Sequence, residues 1–322
     1  MTASLQNQAI GTRIRNLPIE ERIRLYNEAW RLRKEFGYGY HLTGKKLGIP
    51  RDVVRHWFHH NRNPYNETFR KQFDETPSPE LAYIIGVMFG DGSLTGKYSK
   101  NHHGYKIRLR VNSKEFAEIF ATKVAKILNT KNYKIGRESY QYRVQVSNHQ
   151  LYNFLEQPFE KIKPFIEAFP KEFIKGFVDS EGSVVTTICK HKNWIWLQLS
   201  MGISNNRLEL LKFIQILLSK EFNIKSSLKS SYKKGSRCLF SGKVFKRNKD
   251  SYDLKVYRIN DIKTFSNVIG FGLPYKQEKL LDAIYILEAN TSNSEKVKKW
   301  SDIYEKQNNR WVKKNENNIN CD

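Results

Sequence analysis

Two acids carry the sharpest chemical signal in this 322-residue chain. Asp91 closes the segment IIGVMFGDG (84–92), and Glu181 closes IKGFVDSEG (174–182), 90 residues further on. Each segment is a mostly apolar run that reads as a helix and ends in a carboxylate followed by glycine. Gly86 and Gly90 are four apart, as are Gly176 and Ser180, so each helix presents a face poor in side chains. Such faces let two helix backbones touch. Parallel packing would then bring Asp91 and Glu181 side by side at one end. A helix C-terminus already carries negative partial charge, and neighbouring carboxylates repel each other. A divalent cation would resolve that conflict, and a cation held by paired carboxylates can activate water. One copy alone is equally well an ordinary buried helix closed by a C-terminal glycine. The repeat sets the pair apart.

The elements around the two acids also repeat. After Asp91 come an alternating stretch, an amphipathic helix beginning near Asn112 (NSKEFAEIFATKVAKIL), further strands and a turn at Ser147 and Asn148. After Glu181 the order recurs, with a helix near Asn205 (NNRLELLKFIQILLSKEF) and a turn at Ile259 and Asn260. Asn148 lies 57 residues past its acid and Asn260 lies 79 past its own. The excess falls around Ser230 to Asp250, which reads as a long, basic hairpin.

The paired segments resemble the LAGLIDADG homing endonucleases in their single-chain form with two motif copies. Gly86, Asp91 and Gly92 match in the first copy, and Gly176, Asp179, Glu181 and Gly182 in the second. Lys175 and Phe89 depart from the pattern, Phe89 standing where the name-giving sequence has its first acid. The resemblance implies an α+β fold in which two half-domains, each an antiparallel saddle sheet backed by helices, are related by a pseudo-twofold axis through the motif helices. It implies a monomer whose Asp91 and Glu181 hold Mg²⁺, with Mn²⁺ as a substitute and Ca²⁺ supporting binding without cleavage. The activity implied is metal-dependent cutting of both DNA strands across the minor groove, leaving short 3′ overhangs. The segment FGLPYKQEKLLDAIYIL resembles the family stretch that sends a basic residue into the active site, and Lys276 holds the matching position. Lys276 is otherwise a surface lysine at a helix start. Its counterpart in the first half is left open between Lys106 and Lys171.

Strand alternation says where DNA would lie. In 105–111, Ile107, Leu109 and Val111 point one way and Lys106, Arg108 and Arg110 the other. Gln141, Arg143, Gln145 and Ser147 likewise oppose Tyr142, Val144 and Val146. Arg, Lys and Gln bond base edges in the major groove and phosphates, although the plainer fate of such a face is simple solvation. Trp194, Trp196 and Gln198 alternate similarly, and which way they point is open.

Ahead of Thr76 to Pro79 lies a separate unit, residues 1–76, expected to be a small all-α domain. A long charged helix over Ile19 to Glu35 precedes two short helices, His41 to Leu47 and Arg51 to His60, broken at Gly48 to Pro50. LTGKKLGIPRDVVRHWFHH resembles helix-turn-helix modules, with Val54 and Trp57 buried and Arg51, Arg55 and His56 facing a DNA groove. The alternative is a helical domain for protein contact. The first half then spans 77–169, the second 170–289, and a polar tail 290–322 offers Trp300, Tyr304 and Trp311 as apolar handles for one docked helix, its last residues loose.

Charge agrees with a polyanionic partner. Lys and Arg number 56 against 32 acids, a net charge of +24, and the excess is spread over every globular part rather than gathered in a tail. No apolar stretch approaches the length of a membrane span and no signal core follows the N-terminus, so an intracellular place, cytoplasmic or organellar, is expected. Cys189, Cys238 and Cys321 lack paired ligand spacing. His59, His60 and Asn61 have no metal-ligand framework behind them, His102 and His103 read as exposed loop residues, and there is no phosphate-cradling glycine loop. The chain ends lack the nucleophile and the His-Asn pair of an intein, which favours an intron-encoded or free-standing gene. Two half-sites plus the N-terminal unit imply a duplex target of roughly 20 bp or more. The rival functions are a maturase that binds intron RNA with the same fold and a regulator that binds DNA without cutting it.

Overall fold

The computed structural model describes residue 14 and residues 17–60, 64, 73–96, 105–240, 243–307 and 310–314. Asn61, His102, His103 and Cys321 lie outside the described residues. The chain divides into two compact units, Met1–Gln72 and Phe73–Asp322. That boundary falls slightly ahead of the Thr76 read from the sequence. The reason is Phe73: it is buried in the core of the second unit and donates its N–H to Gln150 Oε1 at 3.0 Å.

The first unit contains α1 (Ile19–Phe36), α2 (Tyr40–Leu47) and α3 (Arg51–His59). Leu25, Ala29, Ile49, Val54 and Trp57 form its core with Ile14. Gly48, at φ 65°, ends α2 in the left-handed region, where glycine carries no steric penalty. The turn then folds back tightly. Ile49 N–H donates to the Gly44 carbonyl at 2.9 Å, and a Cβ on Gly44 would stand 2.9 Å from Ile49 O, so only glycine lets α2 and the turn approach this closely. Arg51 and Arg55 are exposed on α3, Arg51 beside His41 Nε2 at 3.2 Å and Arg55 beside Asp52 at 3.6 Å.

In the second unit, the first half runs α4 (Pro79–Phe89), β1 (Gly92–Thr95), β2 (Lys106–Val111), α5 (Lys114–Ile127), β3 (Ile135–Glu138), β4 (Gln141–Val146), α6 (His149–Leu155) and α7 (Phe159–Ala168). The second half runs α8 (Pro170–Glu181), β5 (Gly182–His191), β6 (Trp194–Asn205), α9 (Leu208–Phe222), β7 (Ser227–Tyr232), β8 (Arg237–Phe240), β9 (Lys243–Lys246), β10 (Ser251–Val256), α10 (Ile259–Val268) and α11 (Pro274–Glu288). One antiparallel sheet has the order β1-β2-β4-β3 and the other β5-β6-β10-β7. Setting aside β8–β9, which pair as a separate hairpin, the two orders are the same. The hairpin is the basic insertion read between Ser230 and Asp250.

Caps set the helix starts. Ser78 Oγ accepts from Leu81 N–H at 3.3 Å ahead of Pro79 at the first helical position, Ser113 accepts from Phe116 N–H at 3.1 Å, and Asn148 accepts from Leu151 N–H at 2.8 Å; each satisfies an orphan donor of the first turn. The capping serine puts the start of α5 at Lys114, just after the Asn112 expected. Leu81 through Val87 are all buried, as befits a helix that is apolar all round.

The tail does more than dock one helix. After α12 (Asn293–Ile303) comes a second hairpin, β11 (Tyr304–Gln307) with β12 (Arg310–Lys313). Trp300 is fully buried in the main core and stacks on Tyr304 at 4.2 Å between ring centroids. Trp311 Nε1 donates to the Thr186 carbonyl on β5 at 3.1 Å. Among the described residues, no helix is long and apolar enough to cross a membrane.

Candidate active site

The two acids owe their meeting to the glycines. A Cβ built on Gly86 would stand under 3.0 Å from the Phe173 carbonyl oxygen, and one on Gly176 under 3.0 Å from the Tyr83 carbonyl oxygen. Gly86 corresponds to Gly176 and Tyr83 to Phe173, so the same contact is made in both directions. Further along, Gly90 meets Ser180 and Glu181. Contacts that advance together on both helices mean that α4 and α8 run parallel. Asp91 and Glu181 therefore sit at one shared end.

Their surroundings are electrostatically tense. Asp91 is exposed as a residue, yet partial desolvation of its carboxyl lifts the pKa above its ordinary value, with the Lys276 charge opposing. Burial and then the charge of Asp91 lift Glu181, while a hydrogen bond from Asn205 and the charges of Lys276 and Arg207 pull it back. Asn205 Nδ2 donates to Glu181 Oε1 at 3.2 Å. β5 and β6 pair Gly182 with Ile203, which brings the end of β6 alongside the acid.

Lys276, in the first turn of α11, is half-buried rather than free on the surface. Its ammonium donates to the carbonyls of Val178 at 3.2 Å, Asp179 at 2.7 Å and Gly182 at 2.8 Å. Three acceptors match its three hydrogens. Cations are favoured at a helix C-terminus, so Lys276 ties down the end of α8 and puts positive charge near both acids. Burial pulls its pKa down to about 8, with Asp179, Asp91 and Glu181 opposing.

Replacing Lys276 with Met should remove three charge-assisted hydrogen bonds from the end of α8, lowering stability by about 1–3 kcal/mol. Cleavage is expected to fall further than folding, because the acid-bearing end loses the one cation whose charge acts on both acids among the described residues. Melting and cleavage rates measured on one preparation check this; equal losses in both would leave Lys276 with a purely structural part.

Asp179 received no role from the sequence beyond its match to the motif. It is buried, and its Oδ2 accepts from the Tyr83 hydroxyl at 2.7 Å while Oδ1 accepts from Gly272 N–H at 2.8 Å and Leu273 N–H at 3.3 Å. It thereby joins α4, α8 and the approach to α11, and so places Lys276. An acid on the buried side of an apolar helix, two residues before the terminal acid, was its signal. In the first copy Phe89 takes the equivalent place, packing against Phe159 and Phe173 with ring centroids 6.0 and 6.1 Å away.

The expected DNA face is open. Along β2, Ile107, Leu109 and Val111 are buried, whereas Lys106 and Arg108 are half-buried and Arg110 is exposed. Arg108 pairs in register with Gln145, and Arg110 with Arg143. Arg108 Nε donates to Gln145 Oε1 at 2.9 Å. Glu138 on β3 binds Arg143 at 3.0 Å and Arg110 at 3.3 Å, holding both guanidinium groups in place. Trp194, Trp196 and Gln198 point outward, Trp194 being 70% exposed, which settles the face left open by the sequence.

Two halves of like topology, joined through glycine-bearing helices that end in paired acids, define a two-motif architecture. The model of the LAGLIDADG-like domain matches residues 168–270. The Methanocaldococcus jannaschii protein MJ0398, itself uncharacterized, is 32% identical over 276 residues, covering 83% of this chain and 95% of its own. Homing endonuclease I-ApeI of Aeropyrum pernix is 26% identical over 219 residues, covering 62% of this chain and 85% of its own. Among solved structures, I-DmoI in complex with DNA and Ca superposes with a TM-score of 0.46 and 21% identity over 64% of this chain and 99% of that one. Residues 168–270 therefore carry a LAGLIDADG-like domain.

Proposed function

We propose that the chain is a site-specific endonuclease that cuts both strands of a long DNA target with the help of a divalent metal ion. One observation carries this reading: Asp91 and Glu181, one from each half, reach the same end of two touching helices, where desolvation raises the pKa of both and the Asp91 charge raises that of Glu181 further. The activity named for I-ApeI supports it.

The donor set fits a hard cation. Two carboxylates leave room for water and phosphate oxygens, the arrangement Mg²⁺ favours; Mn²⁺ would substitute, and Ca²⁺ would support binding without cleavage. Among the described residues no larger cluster of His, Cys, Asp and Glu offers a competing site. When bound, the ion would activate water for attack on phosphorus and stabilise the leaving oxygen. The chain's own groups do the positioning. Asn205 orients Glu181, Lys276 anchors the end of α8, and the glycine contacts set the spacing of the acids.

Lys106, Arg108, Arg110, Arg143 and Gln145 are proposed to read the target from the open sheet face, and Arg51 and Arg55 to hold it from the first unit. A double Arg51→Gln, Arg55→Gln variant should keep its fold while the slope of log affinity against log salt drops by about 1.8, or about 0.9 per lost phosphate contact. An unchanged slope in a salt titration would remove the first unit from the interface.

The activity itself is tested by incubating the chain with Mg²⁺ and DNA that spans the intron-free form of its host gene, then mapping the ends. Paired cuts with short 3′ overhangs are expected. Intact DNA, with RNA retained at salt levels that release DNA, would favour the RNA-binding reading.

A further inference from the structure

The hairpin β11–β12 closes one wall of a cavity of about 650 Å³ whose other walls are β5 and the start of α11. Lys279, Arg310, Tyr275 and Thr186 line it, and Ser180 and Lys276 connect it to the Glu181 end of α8. Its charge is unbalanced. Lys313 in its wall is paired with Glu278 and Asp282, and Lys276 is bonded to carbonyls of the α8 end. Lys279, by contrast, donates only to the Trp311 carbonyl at 3.1 Å, and Arg310 has no ionic or hydrogen-bonding partner among the described residues. Two cations thus share a cavity whose one lining acid, Glu278, is already paired with Lys313.

Three further observations point the same way. Burial, followed by the charge of Arg310, pulls the Lys279 pKa down to about 8, as expected of a desolvated ammonium beside a second cation. The Thr186 hydroxyl, buried in the wall, has no hydrogen-bond partner among the described residues, which marks that wall as polar. Finally, β5 continues directly from Glu181 and its neighbours Ser180 and Gly182 line the cavity, so an anion there would lie close to the Glu181 end of α8. Guanidinium and ammonium groups together are the usual recognition set for a phosphate.

We propose that this cavity is a phosphate-binding site in which Lys279 and Arg310 seat a backbone phosphate of the DNA strand that enters the acid pair. The DNA source of the phosphate rests on the endonuclease reading; the anion site itself does not. α12 and the β11–β12 pair then have a function of their own: α12 anchors the strands through Trp300, and β12 presents Arg310 to the cavity at the end of α8.

The test uses the full chain with Arg310→Gln, and with Lys279→Gln added to it. Duplex affinity is measured over a range of salt with Ca²⁺, and melting is measured with and without inorganic phosphate. The slope of log affinity against log salt should fall by about 0.9 in the single variant and about 1.8 in the double, and Arg310→Lys should restore it. Phosphate should raise the melting temperature of the wild-type chain and lose that effect in the double variant. Arg310 is exposed and unpartnered, so its single variant keeps the test decisive even if Lys279→Gln disturbs the hairpin. An unchanged slope, together with an unchanged phosphate response, overturns the proposal. A wild-type chain that bound no DNA would remove the endonuclease reading and the DNA source with it, while the phosphate measurement would still uphold or overturn the anion site.

Discussion

Asp91→Asn and Glu181→Gln chains are expected to fold, hold DNA and fail to cut. Each change removes a charged oxygen with little change in volume, so the glycine contacts of α4 and α8 survive. Cleavage with Mg²⁺ should drop by at least about 10²–10³-fold, the scale of losing one preorganised electrostatic group. Binding measured with Ca²⁺ should persist, and without metal it should tighten as carboxylate repulsion against phosphate disappears.

Stability supplies a second, independent readout. Both acids have folded-state pKa values raised above their ordinary ones, so over that range the folded chain retains protons that the unfolded chain has lost. Their effect on stability therefore worsens as pH rises through and above the ordinary carboxylate range. At neutral pH without metal, the amide variants should melt at or above the wild type. The gap should close at acid pH, where the carboxyls are protonated in both states. A purely structural role predicts lower melting points and cleavage reduced only as far as folding. Full cleavage by a well-folded double variant would sink the metal-site reading.

The largest stability losses are expected at Gly86 and Gly176. Even alanine would place its Cβ against a carbonyl oxygen of the facing helix, and backbone cannot swing aside as a side chain does. Each Gly→Ala change should cost about 1–3 kcal/mol or more, and leucine should cost still more. Gly136, whose nearest neighbours would stand 3.8 Å from an added Cβ, serves as the control and should shift by no more than about 0.5 kcal/mol. Denaturant melts of the three alanine variants check this; equal midpoints would mean that α4 and α8 do not meet as described.

The sequence displayed what depends on local pattern. The glycine spacing on α4 and α8, the alternation along β2 and β4, the Pro and Ser at helix starts and the break at Gly48 are each written within a few residues. What it hid depends on register between distant segments. Asn205 reaches Glu181 only because β5 and β6 pair Gly182 with Ile203. Asp179 becomes a hub only where Tyr83 and the Gly272–Leu273 backbone converge on it. The hairpin at 304–313 follows from Trp300 and Tyr304 entering a core built by other elements, which the polar composition of that segment masked.

The bond between Tyr83 and Asp179 has a consequence for how the two halves choose each other. The glycine contacts are reciprocal, so on those alone either half would fit a second copy of itself as an isologous dimer does. Two first halves would bring Phe89 where Asp179 belongs and leave the buried Tyr83 hydroxyl without its acceptor. Two second halves would bring Phe173 where Tyr83 belongs and leave Asp179 short of a donor. A buried polar group deprived of its partner is costly, so one hydroxyl and one carboxylate make the unlike pairing the favoured one.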